Sequence, residues 1–196
     1  MICILGDSCA GKTTIERELV KHGYNRIISY TTRPIRACET NHIDYHFITE
    51  EEFARMSLAE STVYNSWHYG ISKEDAKNDA IAVVEPVGFR ELKSKEWLDI
   101  VSFYIKVPER ERVIRMMKRG DNVMESFRRI ISDQGSFNGI EREVDFVINN
   151  DRPIEETIKE IIQILDKYYE EPKPIDACDR YLLTEQNSDF IRKQRR

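Results

Sequence analysis

The N-terminal part of the sequence carries residues whose types and spacing suit the binding of a nucleoside triphosphate. Residues 6–13 read G-D-S-C-A-G-K-T and match G-x-x-x-x-G-K-[ST] at every fixed position. The two glycines let the backbone turn tightly, so that its N–H groups point at phosphate oxygens. Lys12 can reach the β- and γ-phosphates, and the hydroxyl of Thr13 can hold Mg²⁺. The residues predicted to bind ATP here are Gly6, Asp7, Ser8, Cys9, Ala10, Gly11, Lys12, Thr13 and Thr14.

A second group of residues could hold another phosphate. Arg33 and Arg36 lie three positions apart in an irregular segment, and Tyr45 follows. A guanidinium presents a planar fork that grips phosphate oxygens bidentately, and a phenol adds one more donor. A triphosphate loop together with a separate phosphate grip is typical of a phosphotransferase whose acceptor is already phosphorylated.

The segment around these arginines resembles guanylate kinase, whose pattern runs S-x-T-T-R-x-x-R-x-G-E-x-x-G-x-D-Y-x-F. Residues 29–47 read S-Y-T-T-R-P-I-R-A-C-E-T-N-H-I-D-Y-H-F, and only the two glycines differ, as Cys38 and His42. The resemblance extends to V-I-N-N-D at residues 147–151 and covers about residues 2–169. It implies a nucleoside monophosphate kinase of the P-loop superfamily that transfers a phosphoryl group from ATP to GMP or dGMP with Mg²⁺.

The resemblance also assigns the acceptor site. It implies that the acceptor phosphate is held by Arg33, Arg36, Tyr45 and Tyr69. Glu60 matches the family's glutamate that reads guanine N1 and N2, and Ser29 matches its partner at O6. An ionised carboxylate accepts two N–H bonds from guanine, and adenine cannot supply that pair.

The sequence departs from the family pattern in the base pocket. The family's D-x-D becomes V-V-E at residues 83–85, so the first acid is Val83 and the second survives as Glu85, a candidate magnesium group. Ile71 stands where the family has Ser or Thr. Phosphate binding is therefore better supported than guanine selectivity. Another nucleoside monophosphate or a phosphorylated metabolite stays an alternative acceptor, and a non-catalytic protein-binding module is a third reading.

A basic segment further along resembles the family's lid over the donor nucleotide. R-M-M-K-R-G at residues 115–120 is similar to R-L-x-x-R-G, and Arg129 matches a later family arginine, with Arg128 one register away. Asn150 falls at a family asparagine near the donor adenine. The catalytic residues implied are Lys12, Arg33, Arg115, Arg119 and Arg129.

The elements that must position these residues alternate between strands and helices. Apolar runs predict strands at 2–5, 26–29, 61–72, 80–84, 100–107 and 144–148, and helices are expected at 13–21, 50–56, from Pro108 and at 153–169. In the first helix Ile15, Leu19 and Val20 should be buried and Glu16 solvated, and Met117 should lie on the apolar face of the helix after Pro108. Thr49 and Glu52 predict a capping box.

Together these predictions describe an α/β, P-loop three-layer fold with a mainly parallel sheet. The expected core is 1–32 and 80–169, with a nucleoside-monophosphate-binding insertion at about 33–79 and a helical lid at about 115–135. Residues 170–196 are expected to form a C-terminal tail.

The composition and net charge limit the classes of partner and metal site that we expect for this chain. The 196-residue chain has a net charge of −5, which argues against a nucleic-acid partner. No apolar run approaches the ~18 residues that a membrane span needs. The cysteines show no C-x-x-C pair and His42 and His46 suit no helix, so a zinc site is not expected. We expect a cytoplasmic monomer or homodimer, with Cys9 either a small loop-filling residue or a redox-sensitive thiol.

Overall fold

The computed structural model describes residues 1–35, 39–64, 66–77 and 80–170. The strands are β1 Ile2–Gly6, β2 Asn25–Arg26, β3 Tyr30–Thr31, β4 His46–Phe47, β5 Leu58–Tyr64, β6 Trp67–Ser72, β7 Ala80–Val83, β8 Val101–Lys106 and β9 Phe146–Asn149. The helices are α1 Lys12–Lys21, α2 Glu50–Ala54, α3 Pro86–Lys93, α4 Glu109–Arg119, α5 Val123–Ser136 and α6 Ile154–Glu170, with a 3₁₀ turn at Ile140–Arg142. Residue contacts divide the chain into Met1–Ile161 and Ile162–Arg196, and in the second unit the described residues 162–170 continue α6.

The first sheet has five parallel strands in the order β2-β7-β1-β8-β9. All five residues of β1 are buried, because this short apolar strand is central and both of its faces are covered. In this sheet Gly6 pairs with Ile105, so the chain leaves the carboxyl end of β1 directly into the phosphate loop. Ligands of parallel α/β sheets bind at this edge. The expected α/β fold with a mainly parallel sheet is confirmed.

A second, four-stranded sheet has the order β4-β3-β6-β5. The pairs β3–β6 and β5–β6 are antiparallel, whereas β3–β4 is parallel. The prediction of one strand at residues 26–29 is wrong, because two short strands flank residues 27–29. The chain pairs with the first sheet at Asn25–Arg26 and joins the second sheet at Tyr30–Thr31, so the residues between the two strands cross from one sheet to the other.

The four helices predicted individually are present as α1, α2, α4 and α6, with three corrections to individual faces, whereas α3 was not predicted. Glu16 is buried rather than solvated, because its carboxylate lies 3.2 Å from Arg26 Nε. Val20 and Met117 were expected to be buried and are 40% and 41% exposed. The capping box of α2 is present, with Glu52 N donating to the Thr49 hydroxyl at 3.2 Å.

Helices α4 and α5 carry the arginines predicted to form the lid. Helix α4 ends at Gly120 in the left-handed conformation, a common way to end a helix. Helix α5 begins after Asn122, whose side-chain oxygen accepts from Glu125 N at 3.1 Å. In the part of the chain that the structure describes, no helix is both long and apolar enough to cross a membrane.

Candidate active site

The loop between β1 and α1 is compact, and the side chain of Lys12 folds back onto its carbonyl groups. Lys12 Nζ donates to the carbonyls of Gly6 and, at 3.3 Å, Asp7. Gly11 has φ 101°, and a Cβ there would lie 2.5 Å from Asn150 Nδ2. Only glycine combines that backbone conformation with so close a neighbour.

A cavity of about 440 Å³ lies against this loop. Its lining residues are Asp7, Cys9, Ala10, Gly11, Lys12, Thr13, Thr14, Arg115, Arg119, Asn150, Arg152 and Ile154. Seven of the nine loop residues predicted to bind ATP are among them, whereas Gly6 and Ser8 are not. The cations that line the cavity suit a polyphosphate. We call this space the donor cavity.

Arg115 and Asn150 are tied to the loop. Arg115 Nη2 donates to the Asn150 carbonyl at 2.7 Å, and Arg115 Nη1 donates to the Cys9 carbonyl at 3.4 Å. Asn150 Nδ2 donates to the Ala10 carbonyl at 2.8 Å, and its Oδ1 accepts from the Thr157 hydroxyl at 3.0 Å. Asn150 therefore supports the loop backbone in addition to lining the cavity.

A second cavity of about 380 Å³ adjoins the loop from the other sheet. Its lining includes the predicted acceptor residues Ser29, Arg33, Tyr45, Glu60 and Tyr69. The sixth predicted residue, Arg36, lies outside the described residues. Lys12 and Thr13 line this space as well as the donor cavity. We call it the acceptor cavity.

Arg33 is held rigidly at this cavity. Its guanidinium makes two 2.9 Å bonds to the carboxylate of Glu39, and its Nε donates to Tyr69 OH at 3.2 Å. The rings of Tyr45 and Phe47 lie 5.5 and 5.4 Å from its central carbon. The hydrogen bonds that Arg33 donates to Glu39 raise the pKa of Arg33, so the group is a permanent cation. Glu39 belongs to the matched motif, but nothing in the sequence indicated its pairing.

Glu60 is a buried carboxyl group, with 6% of the residue exposed. Burial, helped by the nearby charge of Glu91, raises its pKa to about 7, while the Thr62 hydroxyl acts in the opposite direction. A Cβ on Gly88, in α3, would lie 2.5 Å from Glu60 Oε2. The absence of a side chain at Gly88 thus leaves room for this carboxyl group.

The residues predicted to hold Mg²⁺, Thr13 and Glu85, both line the acceptor cavity. Burial raises the pKa of Glu85, and Lys12 opposes that rise. Within residues 1–35, 39–64, 66–77 and 80–170, no group of three or more His, Cys, Asp or Glu could hold a metal. One hydroxyl and one carboxylate still fit Mg²⁺, which keeps several waters and takes its other oxygens from phosphates.

The other arginines predicted to belong to the lid are paired with acidic residues of α5 and of the turn before it. Asp121 accepts from Arg119 Nε at 2.7 Å and lies 3.8 Å from Arg129 Nη1. Glu125 binds Arg128 at 2.7 Å and Arg129 at 3.0 Å. Both Arg128 and Arg129 line the acceptor cavity, so the register alternative between them stays open.

A buried charged network behind the loop was not predicted. Asp133 accepts from Ser8 N at 2.8 Å and from Arg112 Nη1 at 2.9 Å. Arg112 also lies 3.8 Å from Asp7, and Asp7 accepts from Tyr104 OH. Sequence reasoning named Asp7 and Ser8 as loop residues but missed their partners Tyr104, Arg112 and Asp133, which lie far along the chain from the loop and form no local pattern with it.

Comparison with known proteins agrees with the geometry. The guanylate kinase family model matches residues 1–168. A guanylate kinase of Mycoplasma pneumoniae is 33% identical over 132 residues, which are 60% of this chain and 55% of that protein. A guanylate kinase of Wolbachia pipientis is 32% identical over 186 residues, which are 85% of this chain and 89% of that protein.

The fold also has a counterpart among solved structures. The crystal structure of guanylate kinase from Anaplasma phagocytophilum aligns with a TM-score of 0.65 over 87% of each chain, at 24% identity. At that identity the likeness concerns the fold, and the family model and the curated relatives carry the assignment. The chain therefore belongs to the guanylate kinase family of nucleoside monophosphate kinases.

Proposed function

We propose that this protein catalyses ATP + (d)GMP ⇌ ADP + (d)GDP with Mg²⁺. The observation that carries the proposal is that Lys12 and Thr13 line both cavities. A triphosphate on the loop and a monophosphate in the acceptor cavity would therefore meet at these two side chains. Catalysis of phosphoryl transfer comes almost entirely from positioning the two reactants and from electrostatic stabilisation, and this arrangement would supply the positioning.

On the donor side, this chain's cations bind and orient the triphosphate. Lys12, Arg115 and Arg119 face the phosphates, and the Asn150 amide keeps the loop backbone in place. Thr13 and Glu85 would hold Mg²⁺, which supplies charge neutralisation at the β- and γ-phosphates. The charge of the transferring group is stabilised by the guanidiniums of Arg33, Arg115, Arg119 and Arg129.

On the acceptor side, Arg33, Tyr45 and Tyr69 bind the monophosphate, together with Arg36. Glu60 in its ionised form accepts guanine N1–H and N2–H, and Ser29 donates to O6. No general base is required, because the acceptor phosphate is already an anionic nucleophile.

One observation favours a second candidate, a kinase for another nucleoside monophosphate. Val83 lines the acceptor cavity where the family pattern has an acid, so the base meets an apolar wall at that point. A protein-binding module is disfavoured, because a scaffold has no need of Lys12 and Thr13 at the junction of a cationic donor cavity and a second cavity that holds Arg33.

The organisation of the chain is part of this proposal. Residues 1–169 would form the kinase, with the acceptor insertion at about 33–79 and the lid at about 115–135. The proposed tail begins at residue 170, and residues 171–196 lie outside the described part of the chain. We propose a cytoplasmic enzyme that acts as a monomer or homodimer and needs no nucleic acid.

The test is a coupled ADP-release assay with Mg-ATP against all common ribo- and deoxyribonucleoside monophosphates. Lys12→Ala should lose turnover by orders of magnitude while keeping its fold, and Lys21→Ala, an exposed residue at the end of the same helix, is the matched control. Turnover confined to GMP and dGMP supports the proposal. Turnover of another monophosphate supports the phosphoryl-transfer activity but rejects the role of Glu60 and Ser29 in binding guanine. Near-normal turnover by Lys12→Ala rejects the assignment of residues 6–13 as the loop that binds ATP.

A further inference from the structure

We propose that Thr62 is a positioning residue, whose hydroxyl holds the Glu60 carboxylate in the ionised, oriented form that reads the acceptor base. Nothing in the matched motifs points to Thr62. The inference rests on the proposed function, since it concerns the base-reading part of the same cavity.

The two side chains lie on the same face of one strand. Glu60 and Thr62 are two residues apart in β5, and successive residues of a strand alternate between its faces. Both line the acceptor cavity. A Cβ built on Gly88 would lie 2.5 Å from Glu60 Oε2 and 3.5 Å from Thr62 Oγ1, so the two oxygens converge on one point above α3.

The hydrogen-bonding capacity of the Thr62 hydroxyl is not satisfied by the described residues. Its Oγ1 is buried and has no hydrogen-bond partner of acceptable geometry among the described residues. A buried hydroxyl without a partner is uncommon and calls for one. The Glu60 carboxyl group is near enough for the hydroxyl to lower its pKa, so we assign it as the acceptor of this hydroxyl.

The surroundings otherwise oppose the ionised form of Glu60. Burial and the charge of Glu91, on α3, both raise its pKa. Glu91 is itself fixed, because its Oε2 accepts from Ser61 N at 2.9 Å. The thiol of Cys3, on β1, also senses Glu60, but burial raises its pKa to about 12 and it stays neutral. Of the described groups that act on Glu60, Thr62 is the one that favours its charge.

The ionised form is the one that guanine requires. A carboxylate offers about four acceptor positions. One can take the Thr62 O–H while others take the N1–H and N2–H of the base. A protonated Glu60 would present its own O–H to N1–H, and two donors repel each other.

The experiment compares Thr62→Val, which removes the hydroxyl at constant shape, with Thr62→Ser, which restores it. Ser61→Ala, an exposed hydroxyl on the opposite face of β5, is the control. The first readout is the ¹³C NMR titration of the Glu60 carboxyl carbon in the ligand-free protein. The second is the pH profile of GMP kcat/KM, taken as a ratio to the wild-type protein so that titration of GMP itself cancels.

We expect Thr62→Val to move the Glu60 titration to higher pH and to lower GMP kcat/KM at pH 6 by about tenfold, the value of one hydrogen bond to a charged group. The loss should shrink at pH 8.5, and Thr62→Ser and Ser61→Ala should behave like the wild type. An unmoved Glu60 titration, or a loss equal at every pH, overturns the proposal. If Thr62→Val does not fold, Thr62→Ala is judged by the same titration.

The two readouts separate this inference from the proposed function. The NMR titration does not require turnover. If the wild-type protein does not phosphorylate GMP, the proposed function is rejected, but the titration still measures the effect of Thr62 on Glu60. An active guanylate kinase with an unmoved Glu60 titration in Thr62→Val would reject the coupling alone.

Discussion

The Asp133 carboxylate, on α5, accepts hydrogen bonds from both the backbone N–H and the hydroxyl of Ser8 in the phosphate loop, at 2.8 and 3.2 Å. Arg112, on α4, binds the same carboxylate at 2.9 Å and lies 3.8 Å from that of Asp7. The two helices that carry the arginines predicted to form the lid are therefore connected to the loop by one buried guanidinium between two carboxylates. This contact supports the phosphate loop on the side of α4 and α5.

Arg112→Met should leave Asp7 and Asp133 as buried carboxylates without their cation. Breaking a buried ion pair by removing one partner costs about 3–5 kcal/mol, so we expect a loss of that order in urea unfolding. The KM for ATP should also rise, because uncompensated negative charge behind the loop repels phosphate. Arg110→Met, at an exposed position of the same helix, is the control and should change neither. A stability loss no larger than that of the control would contradict this role.

Glu60→Gln should stabilise the ligand-free protein at high pH. Burial raises the pKa of Glu60 from 4.5 to about 7, so between those values the folded state binds more protons than the unfolded state. Stability is therefore lost as the pH rises through this window, and ionised Glu60 costs about 3 kcal/mol above it. The variant should unfold at higher urea than the wild type at pH 8 and near the same urea at pH 4.5.

The same variant should lose its use of GMP, because a glutamine amide presents one oxygen and one NH₂ donor where the carboxylate presents two acceptor oxygens to the guanine N–H groups. Glu51→Gln, an exposed change on α2, is the control for both measurements. Equal stability differences at the two pH values would show that Glu60 does not titrate as described.

Local patterns predicted the loop and the sheet well. The G-x-x-x-x-G-K-T match required only adjacent residues, and the buried runs that became β1, β7 and β8 were continuous in sequence. The family resemblance grouped Arg33, Tyr45 and Tyr69 as acceptor residues, and all three line one cavity.

Contacts between distant parts of the chain were not predictable. The Ser8–Asp133 bond joins residues 125 positions apart. The helical pattern predicts a solvated Glu16, because its partner Arg26 lies in another element. After Arg26 the chain passes from the first sheet to the second because β2 and β3 pair with different strands. The local hydrophobic pattern does not indicate which strand each one pairs with. These are cases in which tertiary contacts decide the role of a residue whose type alone suggests an exposed position.

Gly88→Ala should damage acceptor recognition without damaging the fold. Alanine is the better helix former by about 1 kcal/mol, and Gly88 lies within α3. The new methyl group would lie 2.5 Å from Glu60 Oε2, so the carboxyl group must turn away. We expect a rise in the KM for GMP of about tenfold, the value of a lost hydrogen bond, with an unchanged KM for ATP. Gly135→Ala, in α5 with no neighbour within 4 Å, is the matched control and should leave both KM values unchanged.

In the Glu39→Gln variant, the stability of the folded protein should depend more strongly on a bound acceptor phosphate than in the wild type. Arg33 is 8% exposed, and the Glu39 carboxylate neutralises it through two 2.9 Å bonds. A neutral amide keeps one acceptor but leaves the buried cation uncompensated, so we expect the ligand-free protein to lose about 1–3 kcal/mol. A phosphate bound at Arg33 would return the missing negative charge.

The measurement is the rise in Tm on adding saturating GMP, since a ligand that binds only the folded state stabilises it. The rise should be larger in Glu39→Gln than in the wild type, and Glu51→Gln should match the wild type. A smaller rise in Glu39→Gln would mean that Glu39 orients Arg33 for the phosphate instead of standing in for it. In that case the carboxylate stays bonded to Arg33 in the complex, and the phosphate is gripped by the remaining face of the guanidinium and by Tyr45 and Tyr69.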